Sequence, residues 1–166
     1  FDLSFVRSLF APRYSKEADI DLFVFPACAL RTSGMEKAIL YRDSYVCIGA
    51  EDNDALQEGM DPDEFLRLRH IGYSAIPRIA FNHEMMLWDE LGKEANLRLT
   101  MGNYLIFARI VAASNAVAIL PKRLATTLTG EWKLKWITPP LPTPELEIAA
   151  MWRPDQAKDI ALAWLR

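Results

Sequence analysis

The sequence predicts an α/β protein, and three observations carry that expectation. Short apolar or alternating runs that fit strands are interleaved with runs at helical spacing, an order that buries a sheet under helices. The run Ile20–Phe25 (IDLFVF) is apolar almost throughout and ends at Pro26, as in a strand covered on both faces within a parallel sheet. Residues 96–121 read NLRLTMGNYLIFARIVAASNAVAILP. That is an alternating strand, a Gly-Asn junction, an apolar helix, a polar break and a buried strand, the order of a βαβ unit.

The elements follow in chain order. After Ile20–Phe25, the apolar run Asp43–Gly49 (DSYVCIG) predicts a second strand. Asp61-Pro62-Asp63-Glu64 opens a helix: a capping acid, a proline at the first helical position, and a glutamate three residues after the cap. His70–Ser74 predicts a strand before a proline-containing turn, and Asn82 caps a helix that runs through Leu91 and closes at Gly92. Leu97, Leu99 and Met101 alternate with Arg98 and Thr100, a half-buried strand. Tyr104–Ala113 is apolar on nearly all sides, which predicts a buried helix, with Asn115 placed for a left-handed cap. Val117–Leu120 is another strand, and Pro139, Pro140, Pro142 and Pro144 make a rigid connector. Leu146, Ile148, Ala150 and Trp152 alternate along a strand, and Asp155 caps a last helix whose Ala157, Ile160, Ala161 and Trp164 share one face.

The 166 residues fit one domain or two small lobes, and 51% hydrophobic content supports a packed interior. No apolar stretch approaches the ~20 residues of a membrane-spanning helix, and no secretory signal opens the chain. A cytoplasmic protein with no membrane partner is expected, and Cys28 and Cys47, both in apolar surroundings, are expected as reduced thiols. The net charge is −3 and the basic spots Lys122-Arg123 and Lys133-x-Lys135 are isolated pairs, so no stripe for duplex DNA is present.

Residues 96–121, together with Leu141-Pro142, Glu145–Trp152 and the closing Ala163-Trp164-Leu165-Arg166, resemble the effector-binding domains of LysR-type transcriptional regulators. In that family a strand leads into a helix, a turn and an Ile-x-x-Leu-Pro-like strand. The resemblance runs from about Asp19 to Arg166; its motifs are degenerate and their order is the specific part. The ending looks most like the branch that senses aromatic inducers, nodulation regulators among them. The resemblance implies a two-lobed fold of the type 2 periplasmic-binding-protein kind, joined by two crossing strands near Tyr45–Gly49 and Pro142–Ile148. Lobe I would comprise residues 1–46 plus 147–166, and lobe II residues 47–146. It further implies a homodimer or tetramer, with lobe one against lobe two of the partner. DNA contact would come only through an N-terminal winged helix-turn-helix outside this chain. A solute-binding protein of the same fold, or an enzyme using the interlobe cleft, are the alternatives. One departure stands out: only Phe1–Asp19 occupy the place where the family spends several dozen residues. A parallel crossover takes at least ~10–12 residues. Chain breaks near Phe5-Val6 and Arg13-Tyr14 are therefore expected, with a reduced first lobe as the alternative.

No catalytic chemistry is predicted. There is no Gly-x-Ser-x-Gly elbow, and Cys28, Cys47, His70 and His83 lack the spacing of a nucleophile and its base. No C-x-x-C or H-E-x-x-H pattern predicts a metal, and Gly102 alone makes no dinucleotide fingerprint, so no cofactor is expected. A small-molecule cleft at the carboxyl ends of strands is the better reading. It draws on Phe25, Pro26, Tyr73, Ser74, Met101, Gly102, Asn103, Tyr104 and Pro121. The Gly102-Asn103 junction can turn backbone amides and a helix N-terminus toward a ligand. Ser74 and Asn103 orient polar groups, while Phe25, Tyr73 and Met101 stack on a ring. Phe25, Met101 and Leu120 serve equally well as core, and Arg78 is either a carboxylate partner or a solvated loop residue. Few polar groups among large apolar ones favour an aromatic, uncharged or singly charged ligand.

Overall fold

The computed structural model describes residues 22–27, 35–73, 95–156 and 160–165. The expected helix Asn82–Leu91 and the expected breaks near Phe5-Val6 and Arg13-Tyr14 lie outside these residues. So do Cys28, Ser74, Arg78 and His83.

The fold is two-lobed α/β. The chain divides into one unit of Phe1–Arg42 plus Leu146–Arg166 and a second of Asp43–Glu145, so it passes between them at Arg42-Asp43 and again at Glu145-Leu146. In the first unit, β1 (Phe23–Pro26), β2 (Glu36–Asp43) and β8 (Leu146–Trp152) form a sheet in the order β1-β8-β2. β1 runs antiparallel to β8, with Phe25 opposite Ala149 and Pro26 opposite Ile148. The Arg42–Glu147 ion pair (3.1 Å) at one end and the Trp152 Nε1–Glu36 Oε2 hydrogen bond (2.9 Å) at the other set β2 antiparallel to β8 as well. β8 is central and buried through Ala149–Trp152, so its burial does not follow the expected alternation.

The second unit carries the five-stranded sheet β5-β4-β6-β3-β7, from β3 (Tyr45–Ala50), β4 (Arg69–Tyr73), β5 (Leu97–Met101), β6 (Ala116–Pro121) and β7 (Leu134–Ile137). β4 is parallel to both β5 and β6, whereas β3 is antiparallel to β6 and β7. The second sheet is thus mixed and the first antiparallel, where parallel sheets were expected. The continuous run of β3 reports two covered faces, not strand direction, whereas Val24 of β1 is 56% exposed, so β1 is not covered on both faces as expected. β3 is buried at every residue because both faces are covered. On one face, α2 (Tyr104–Ala112) and α3 (Lys122–Glu131) lay Phe107, Ala108, Val111, Ala125 and Leu128 on Val46, Ile48, Ile71, Ala118, Leu120 and Leu134. The strand residues between these, including Cys47, Val117 and Ile119, are buried on the other face. There Leu56 approaches Gly49, and Phe65 of α1 (Pro62–Arg67) stacks edge-on against the His70 ring at 5.1 Å.

α1 begins as its sequence predicts. Asp61 Oδ1 accepts the Asp63 and Glu64 amides at 2.8 and 3.2 Å, with Pro62 at the first position. α2 departs from expectation: it is not buried all round, since Leu105 and Ile106 are 61% and 47% exposed. It forms an outer layer, so the stripe Phe107, Ala108 and Val111 is buried on the sheet, with Tyr104, Ile110 and Ala112 partly buried beside it. Its end is closed by Ala113 N and Ser114, whose hydroxyl donates to Ile110 O (2.7 Å), while Asn115 instead accepts from Arg69 Nη1 (3.4 Å). In the first unit a 3-10 turn, Pro154–Gln156, precedes α4 (Ile160–Leu165), whose Ile160 and Trp164 are exposed.

Candidate functional site

Parallel pairing brings three strand ends to one side of the second unit. Tyr73 lies opposite Met101, and β4 runs parallel to β6 with Ile71 opposite Ala118, so the carboxyl ends of all three strands, Pro121 included, point the same way. From this edge β5 continues through Gly102-Asn103 into α2, and β6 continues through Pro121 directly into α3. Two helix N-termini therefore stand beside three strand ends, where open α/β sheets place ligands. Gly102 and Asn103 are exposed; Met101, Tyr104 and Pro121 are half-buried. Tyr104 packs edge-to-face on Phe107 with ring centroids 5.4 Å apart. Phe25 and Pro26 lie on β1 of the other unit, and Ser74 falls outside the described residues.

Asn103 plays a part that the sequence reading missed. Its backbone is extended (φ −142, ψ 111) and its Oδ1 accepts the Leu105 N–H at 2.9 Å and the Ile106 N–H at 3.3 Å. Its own carbonyl accepts the Phe107 N–H at 3.3 Å. Three amides of the first turn are therefore satisfied from within, and the helix end does not present them to a ligand as expected. What remains outward is the side-chain NH2, which has no partner among the described residues. Because Oδ1 is held in the cap, Asn103 faces outward as a hydrogen-bond donor only. The signal was legible: an Asn directly before an apolar helical run is a capping residue.

α3 shows the complementary case. Pro121 stands at its cap and has no side-chain acceptor, and no acidic residue follows in the first turn. The acceptors come from the segment that joins the units: Arg123 N donates to Asp43 Oδ2 (3.2 Å) and Lys122 N donates to Ser44 O (2.8 Å).

A titrating group shifted from its ordinary range lies deeper. His70 on β4 is 2% exposed, and burial lowers its pKa, partly offset by the bond between Nε2 and Phe65 O at 2.8 Å. Cys47 is buried, and its Sγ donates to Ile48 O at 3.8 Å. Among the described residues no group of three or more His, Cys, Asp or Glu could hold a metal ion. No described helix is long and apolar enough to cross a membrane.

Comparisons with known proteins agree with this geometry. The chain is 23% identical over 151 residues to nodulation protein D 1 of Bradyrhizobium sp. (strain NC92), covering 91% of this chain and 48% of that protein. It is 28% identical over 127 residues to the HTH-type transcriptional regulator SyrM of Rhizobium meliloti (strain 1021), covering 76% and 39%. The chain thus spans about half the length of the curated relatives it matches, or less. The fold is similar to that of a solved structure from Pseudomonas aeruginosa titled "probable transcriptional regulator", with a TM-score of 0.83 at 16% identity over 96% of this chain and 52% of that one. Residues 15–166 match the model of the LysR substrate binding domain, and the chain belongs to that family.

Proposed function

We propose that this chain is the effector-sensing and dimerising domain of a LysR-type transcriptional regulator, and that its effector is a small aromatic molecule. The observation that carries the reading is the edge where β4, β5 and β6 end beside Asn103. Tyr73, Met101, Gly102, Asn103, Tyr104 and Pro121 supply that edge. Asn103 donates and does not accept, so the ligand it favours carries an acceptor: a carboxylate, a carbonyl or a phenolate. Similarity to nodulation protein D 1 and to the HTH-type transcriptional regulator SyrM supports placing the chain in a gene regulator. DNA contact is assigned to a domain outside this chain, whose own net charge is −3. Leu105 and Ile106 on the outer face of α2 are the proposed self-association surface.

The test is a thermal-shift panel of benzoates, salicylates and flavonoids beside sugars and amino acids. A ligand that binds only the folded state adds about 2.7 kcal/mol at a hundredfold excess over Kd. Stabilisation by at least one aromatic acceptor and by no sugar is expected. The reverse pattern would reject the aromatic assignment.

A further inference from the structure

The helix that leaves the candidate site cannot cap itself. α3 starts immediately after Pro121, and proline offers no side-chain acceptor to the first amides. Those amides are met from the far side of the sequence. Asp43, the first residue of the second unit, uses both carboxylate oxygens: Oδ1 accepts Ser44 N at 2.9 Å and Oδ2 accepts Arg123 N at 3.2 Å. Ser44 O accepts Lys122 N at 2.8 Å. The ladder between β3 and β6 runs out at this point, where Tyr45 lies opposite Pro121. A ladder end frays unless something holds it, and a joining segment is where hinge rotations are absorbed. Here the carboxylate also sits at the positive end of α3, whose first turn holds Lys122 and Arg123 and no acid.

We infer that Asp43 is a positioning residue that ties the segment joining the two units to the effector edge, so that a ligand held at Pro121 stiffens the joining segment through α3. The inference rests on the effector-binding reading above. Pro121 and Lys122 are consecutive in the chain, and Lys122 and Arg123 are the two residues whose amides hold Ser44 and Asp43. A displacement or immobilisation of the edge backbone therefore reaches the joining segment across two hydrogen bonds.

Hydrogen exchange tests this on the intact chain, using whichever benzoate, salicylate or flavonoid of the panel gives the largest thermal shift. In the wild type, ligand should slow exchange across residues 39–46 by about fivefold or more. In Asp43→Ala, ligand affinity should stay within about threefold of wild type, while the ligand-dependent slowing at residues 39–46 is lost. Asp43→Asn keeps one accepting oxygen and should fall between the two. Lys122→Pro deletes the other donor at the first helical position, where proline is tolerated and where Pro121 (ψ 137) already has the extended backbone that precedes a proline. It should act in the same direction. A purely structural cap would raise exchange equally with and without ligand and leave the ratio unchanged. That unchanged ratio in Asp43→Ala would overturn the inference. If no panel member shifts the wild type, the effector reading itself fails and the inference goes with it; a ligand that binds without slowing residues 39–46 defeats the inference alone.

Discussion

The Asn103 carboxamide oxygen lies 2.9 Å from the Leu105 amide and closes the first turn of α2. One residue therefore has two duties, capping with its oxygen and offering its nitrogen to a ligand, and a simple truncation confounds them. Asn103→Ala should cost about 1 kcal/mol of stability through the lost cap alone. Asn103→Asp keeps the capping oxygen and places a negative charge at a helix N-terminus, which is favourable. It removes the donor, however. Chemical denaturation should find the Asp variant as stable as wild type, while isothermal titration finds binding of an acceptor-bearing aromatic weakened at least as much as by Ala. An Asp variant that binds like wild type would show that Asn103 is a cap and nothing more.

Gly49 faces a different constraint. A Cβ placed there would stand 2.6 Å from Leu56 Cδ2, and Leu56 is itself buried against this face of the sheet. Leu56 has no solvent side to retreat to, so Gly49→Ala should destabilise by about 1–3 kcal/mol through overpacking. Leu56→Val removes a methylene at the point of conflict. Urea denaturation of the double variant should show less than the sum of the two single losses, since the residues share one contact.

His70 makes stability depend on pH with a definite sign. A carbonyl only accepts, so the bond to Phe65 O places the proton on Nε2 of the neutral ring. Burial lowers the folded-state pKa below the ordinary 6.5, so the unfolded chain takes up the second proton more readily. Stability is then fully present above the unfolded value and is lost as pH falls through 6.5 toward the lower folded value. Melting temperatures should decline between pH 7 and pH 5.5 in the wild type. His70→Gln should flatten that decline; a variant with the same slope would assign the effect to other groups.

Much of the second unit was legible in the sequence because its signals are local. The Asp61-Pro62 helix start, the strand Leu97–Met101 and the run before Leu120-Pro121 each rest on a few residues, although Leu97 and Leu99 are each 41% exposed and the expected half-buried alternation is not seen. Strand direction was not legible, because burial of β3 on both faces looks the same whether its neighbours run parallel or antiparallel. β2 went unread, since its apolar run at residues 38–41 is only four residues long between charged flanks, and the strand is largely exposed and takes its place from pairing with β8. The edge formed by Tyr73, Met101 and Pro121 followed from strand-end logic. The Asp43–Arg123 tie did not, because a cap supplied from a residue 80 positions away leaves no local pattern.

α2 offers the sharpest contrast, because its two faces predict opposite outcomes. Phe107 is fully buried over the sheet beside Ala108 and Val111, whereas Leu105 and Ile106 stand largely in solvent. Phe107→Ala should cost about 3–5 kcal/mol, since it removes a ring from a close-packed core and leaves a cavity. Leu105→Glu and Ile106→Glu change no internal contact of comparable size and should move stability by no more than about 0.5 kcal/mol. If the outer face is where two copies meet, however, a buried and unpaired carboxylate on each side opposes that contact. Sedimentation velocity should therefore show Leu105→Glu and the Leu105→Glu, Ile106→Glu pair shifted to monomer at concentrations where the wild type self-associates. Circular dichroism should show the same fold and melting point in all three. A double variant that still self-associates like wild type would remove α2 from the interface and leave its exposed leucine and isoleucine without an assigned role.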